Sequence, residues 1–96
     1  MIVERWTFAT KDGCWAKMLE LLKARRDATG EFEIFTCSFG SKQAFFATEL
    51  RFEGLSDLDK FWQELGTTPD GAKFIQDFQA LASDSMPATR EIWQVQ

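Results

Sequence analysis

Apolar and polar residues alternate from the start of the chain. In "MIVERWTFA", Ile2, Glu4, Trp6 and Phe8 fall on one side of an extended segment, with Val3, Arg5 and Thr7 on the other. This β-branched and aromatic run predicts a strand over residues 1–9. "KDG" ends it, and Asp12 is placed to cap a helix running to residue 27, with Cys14, Trp15, Met18, Leu19, Leu21 and Leu22 as its apolar stripe. Lys23, Arg25 and Arg26 suit the negative end of that helix, and Gly30 stops it. "EFEIFTCSF" (residues 31–39) and "QAFFATELRFE" (43–53) read as two further strands, joined by "GSK" as a hairpin. Ser56, with Asp59 three residues on, approximates a capping box for a second helix, in which Leu58, Phe61, Trp62 and Leu65 share one side. Phe74, Ile75, Phe78, Leu81 and Ala82 continue the helical period, and "ATREIWQVQ" gives a last strand.

The stretch "ELGTTPDGAKF" (residues 64–74) lies between the two helical patterns. Its Asp-Gly could belong to a phosphate loop, but such a loop needs a preceding strand and more glycines. A joint fits better: Gly66 stops one helix, Thr68 caps the next, Pro69 takes its first position and Asp70 adds a negative charge to its first turn. The element order is β-α-β-β-α-β, with the second helix broken near Gly66–Pro69. That is the α+β ferredoxin-like plan, a four-stranded antiparallel sheet with its helices on one face, occupying residues 1–96 as one domain.

The strand faces carry a second message. Ile2, Glu4, Trp6 and Phe8, with Phe32, Ile34, Thr36 and Ser38 and with Ala44, Phe46, Thr48, Leu50 and Phe52, form a set apolar enough to lie under helices. The other set contains Val3, Phe35, Phe39 and Phe45, too apolar for a face left in water. Packing two such sheets together predicts a homodimer, with Arg5, Arg51, Glu49 and Glu53 pairing across or around the interface.

Composition narrows the function. Ten Phe and four Trp in 96 residues exceed what so small a body hides, which again asks for a partner surface. The net charge of −4, with its basic residues scattered apart from Arg25-Arg26, argues against a nucleic-acid or anionic-membrane surface. No signal peptide or membrane-length apolar run is read, so the expectation is a soluble, cytoplasmic protein. The chain has no His, Tyr or Asn. That removes Ser-His and Cys-His nucleophile pairs, His-ligated haem and the common zinc sites; no metal-ligand cluster or cofactor motif is read.

"MIVERWTF", the "KDG" turn, "FWQELGTTPDGAKF" and "TREIWQV" together resemble the dimeric α+β barrel superfamily, and within it NIPSNAP-like and antibiotic-biosynthesis-monooxygenase-like domains. The resemblance covers essentially the whole chain. It implies a homodimer whose two sheets form a barrel, with a small pocket between helices and sheet. Some members are cofactor-independent oxygenases acting on quinol-like aromatics, and many have no known activity. The pocket positions that carry over are Trp62 and Trp6, with Arg90 as a polar partner.

Among candidate site residues, Glu4 stands out as a carboxylate alternating with aromatics. It is either a general base for a phenol or half of an ion pair with Arg90 of the last strand. Trp6, Phe46, Trp62 and Trp93 are either core or a stacking surface for a flat ligand, and Thr36 and Thr48 offer hydroxyls to the same pocket. Cys14 and Cys37 read as small buried hydrophobes, and the pairs Asp57/Asp59 and Glu31/Glu33 as solvated. Two functions stand side by side: a homodimeric barrel binding a small apolar or aromatic molecule, and a cofactor-independent monooxygenase acting on a quinol-like substrate through Glu4, Arg90, Trp6 and Trp62.

Overall fold

A computed structural model describes residues 1–40 and 44–96. Its elements are β1 (Ile2–Ala9), α1 (Trp15–Thr29), β2 (Glu33–Thr36), β3 (Phe45–Phe52), α2 (Leu55–Thr67), α3 (Pro69–Leu81) and β4 (Thr89–Gln94). The strands form one antiparallel sheet in the order β2-β3-β1-β4. This is the α+β ferredoxin-like arrangement. Of the expected hairpin turn, Ser41 and Lys42 lie outside the described residues, as does Gln43 at the expected start of the third strand.

Register fixes the faces. Phe8 stands opposite Phe46, Trp6 opposite Thr48 and Glu4 opposite Leu50, while Ile34 and Thr36 continue that row on β2. The core lies on this side. Met18 and Leu22 of α1 bury against Phe8, Phe32, Phe46 and Leu50, and Phe74 and Phe78 of α3 close over them. Each such side chain contributes about 1.5–3 kcal/mol when fully buried.

The helix ends depart from the sequence expectation in instructive ways. Asp12 is not the cap of α1. The Cys14 N–H closes a turn onto the Lys11 carbonyl at 3.0 Å, and Gly13 within it has φ +78°, a conformation that glycine adopts without a Cβ penalty. Asp12 is thus spent inside the turn, and Cys14 occupies the cap position with no side-chain cap bond. Ser56 is likewise inside α2, which starts one residue earlier from an extended Gly54. Gly66 does not stop α2; the helix runs on to Thr67. The break falls at Thr68, extended at φ −87° and ψ 146°, because proline disfavours helical backbone in the residue before it. Thr68 then caps α3, its hydroxyl accepting from the Gly71 N–H at 3.2 Å, with Pro69 at the start of the helix. The joint reading of residues 64–74 holds, with Pro69 rather than Gly66 as its cause.

The second strand is also shorter than expected. The chain leaves the sheet after Thr36; the Cys37 thiol donates to the Phe39 carbonyl at 2.7 Å, and Gly40 has φ +109°.

Candidate functional site

Between the sheet and the helices lies a cavity of about 280 Å³. Trp6 and Phe8 of β1 and Thr48 and Leu50 of β3 form its floor. Phe61, Trp62 and Leu65 of α2 wall one side, and Phe74, Ile75 and Phe78 of α3 the other. Both halves of the broken helix contribute to it, on either side of the break at Thr68. The lining is almost wholly apolar and aromatic, the ordinary character of a small-molecule site.

Behind the tryptophans sits Glu4, with no exposure to solvent. One carboxylate oxygen accepts from Trp62 Nε1 at 2.9 Å; the other accepts from Arg90 Nε at 2.7 Å and Nη2 at 2.6 Å. Register explains the meeting: Arg90 pairs with Trp6 on β1, two residues from Glu4 and on the same face. The guanidinium lies 5.6 Å from the Trp6 ring centre, and Trp6 meets Trp62 edge-on at 6.0 Å. One buried carboxylate therefore fixes the orientation of Trp62 directly and of Trp6 through Arg90. Of the two ways to read Glu4 in the sequence, its contacts are those of an ion pair. Both its oxygens are engaged, and it does not line the cavity. The Trp6 Nε1 is buried without a hydrogen-bond partner. Such an unspent donor costs about 1–3 kcal/mol.

The other expected site residues separate. Thr48 lines the cavity beside Trp6 and Trp62. Phe46 is fully buried, stacked between Phe8 at 5.8 Å and Trp15 at 5.0 Å, beneath the cavity rather than in its wall. Thr36 is exposed at the end of β2. Trp93 stands opposite Val3, which puts it on the reverse face of the sheet, 54 % exposed. The pairing sets this: Ile92 is the residue opposite Glu4, so its neighbour Trp93 points the other way.

Residues outside the expected set complete the site. Phe61, Leu65, Phe74, Ile75 and Phe78 line the cavity, although their helical spacing reads only as core. Glu31 is the one titratable side chain among the described lining residues. It is not a solvated carboxylate: Arg25 grips it in two bonds, Nε to Oε2 at 3.0 Å and Nη2 to Oε1 at 2.8 Å, and lies over Phe74 at 5.5 Å. An arginine in the last turns of a helix and a glutamate six residues on, just past the stop, was the signal available.

On the reverse face, three of the four charges expected to pair across or around an interface, Arg5, Glu49 and Arg51, have partners within the chain. Arg5 pairs with Glu49 directly across β1 and β3, and Arg51 lies near both Glu33 and Glu49. On the same face Phe35 of β2 is 43 % exposed at one edge of the sheet, and Trp93 of β4 is exposed at the other.

No protein-family model matches the chain, and no curated protein does. Solved structures do. A NIPSNAP family protein from Agrobacterium tumefaciens superposes with a TM-score of 0.81 at 16 % identity, over 99 % of this chain and 85 % of its own. An uncharacterised NIPSNAP-like domain protein from Burkholderia xenovorans gives 0.81 at 14 % identity, over 99 % and 84 %. An antibiotic biosynthesis monooxygenase gives 0.74 at 12 % identity, over 99 % and 98 %. At these identities the likeness is one of fold, and it is the likeness that the sequence pattern implied. The chain shares the α+β ferredoxin-like fold of these NIPSNAP and antibiotic-biosynthesis-monooxygenase structures.

Proposed function

We propose that this protein is a homodimer that holds a small, flat, largely apolar molecule between its sheet and helices without transforming it. The observation that carries the reading is the cavity itself, with two tryptophans at its wall that the Glu4–Arg90 pair holds in fixed orientation. Rigid aromatic walls bind flat molecules with little entropy left to lose. The oxygenase alternative asks for a group that can accept a substrate proton in the cavity. Glu4 has both oxygens engaged, and Glu31 is held by Arg25. The homodimer rests on the reverse sheet face, where Phe35 and Trp93 stand in solvent beside Val3, Phe45 and Ala47.

Native mass spectrometry of protein purified from its own host tests both parts. The expected result is a dimer carrying a small-molecule mass that is released unchanged. Monomers at micromolar concentration would overturn the dimer, and consumption of oxygen with an added quinol would replace binding by catalysis. Within the dimer reading, Trp93→Lys dissociates the pair in light scattering and leaves the circular dichroism of the chain intact.

A further inference from the structure

An outer cleft of about 450 Å³ adjoins the cavity, lined by Arg25, Thr29, Glu31, Phe61, Glu64, Leu65, Thr68, Pro69 and Asp70. Glu31, Phe61 and Leu65 line both spaces and so form the boundary between them. The cleft opens where α1 ends and α2 turns into α3. Its charges do not balance. Arg25 is committed to Glu31, while Glu64 and Asp70 have no ion-pair partner among the described residues. The helix ends do not correct this: α1 and α2 bring their negative ends to the cleft, and only α3 brings a positive one, with Asp70 in its first turn. At the other end of the cavity, Gln79 and Ala88 carry no charge.

We infer that this cleft is the entrance to the cavity and that its acidic rim selects the ligand class: apolar molecules whose polar end is neutral or cationic, with carboxylates and other anions rejected. The inference rests on the binding function proposed above. It follows from the placement of the two uncompensated charges. Any anion crossing the rim approaches Glu64 and Asp70 with no free cation to meet it, and it then passes the carboxylate of Glu31, whose guanidinium partner lies on the cleft side and does not line the cavity. A cation passing the same way gains from Glu64 and Asp70. An apolar body is accepted in either case, because the lining beyond the boundary is aromatic.

The experiment uses three probes that share one aromatic body: naphthylethylamine, naphthylethanol and naphthylacetate, titrated calorimetrically into the full chain. At low salt the amine and the alcohol bind, and the acetate binds about tenfold more weakly than the alcohol, the factor that two exposed like charges supply at close range. Salt near 0.5 M narrows the gap by screening, since the Debye length falls there to about 4 Å. The Glu64→Gln/Asp70→Asn double variant, which breaks no side-chain ion pair or hydrogen bond among the described residues, abolishes the gap at low salt. Acetate binding as tightly as alcohol, or a gap that survives the double variant, would overturn the rim's role and leave the binding function standing. If none of the three probes binds, the cavity is not a site for apolar ligands, and both readings fall together.

Discussion

Arg90 and Glu4 allow the energetics of the site to be tested without knowing its ligand. Glu4 is wholly buried, whereas the Arg90 side chain is 42 % exposed. The two halves of the pair are therefore unequal. Arg90→Met leaves a buried carboxylate with only the Trp62 N–H to meet it. Breaking a fully buried pair in this way costs about 3–5 kcal/mol, and because water can follow into the space left by a half-exposed guanidinium the low end applies, about 3 kcal/mol. Glu4→Leu leaves Arg90 free to turn into solvent and strands one indole N–H, a loss of about 1–2 kcal/mol. In the double variant no charge is buried, so its loss matches that of Glu4→Leu alone. The singles sum to about 4–5 kcal/mol and the double stays near 1–2, which gives a coupling of about 3 kcal/mol. Urea unfolding at one fixed protein concentration measures all four corners, since association would otherwise mix into the midpoint. Additivity within about 0.5 kcal/mol would refute the reasoning, because it would mean that the carboxylate does not depend on its partner.

Three further outcomes follow from the packing. A Cβ on Gly71 would lie 2.1 Å from the Leu65 carbonyl oxygen, whereas one on Gly66 meets nothing within 4 Å. Gly71→Ala thus forces α2 and α3 apart and lowers the melting temperature sharply, while Gly66→Ala, inside a helix, raises stability by about 0.5–1 kcal/mol. Phe46→Ala lowers stability by about 3–5 kcal/mol, as for any large buried aromatic, and does so in urea unfolding with no ligand present. Lys73 has its ammonium raised above 10.5 by the hydrogen bond to Asp77 and then by that residue's charge. A raised group contributes fully below its unfolded value and loses its contribution only as pH rises past it, so Lys73→Gln leaves the pH dependence of the melting temperature unchanged between about pH 5 and about pH 9.

The fold was legible because local patterns and tertiary demands agree. The alternation Ile2, Glu4, Trp6, Phe8 identified the helix-facing side of β1, and the same parity held on β2 and β3 once their register was fixed. Trp93 shows what alternation leaves out. A period of two separates neighbours within a strand, but only the pairing of Ile92 with Glu4 tells which of them looks at the helices. The cavity was legible only in part. Phe74 and Phe78 have the spacing of core residues, and they are core where α3 meets Phe8 and Phe32. Whether such a stripe packs wholly against the sheet or leaves a cavity depends on how the helices sit on it, which side-chain period does not encode. Helix starts were misplaced at Asp12 and Ser56 for a related reason. A residue able to cap does so only if the preceding turn delivers it to the helix end, and the turn at Gly13 does not.

The position of β4 bears on how the chain comes to be made. Among the described residues this strand pairs only with β1, and it carries the one cation that reaches Glu4. During synthesis β1 emerges first and β3 can pair with it, yet at 5–20 residues per second several seconds pass before residues 89–94 follow. Over that interval the nascent sheet displays an unpaired edge along β1, and its central carboxylate has no arginine beside it. The buried ion pair links the first strand of the sheet to the last, so the Glu4 carboxylate gains its guanidinium partner only once both strands are in place.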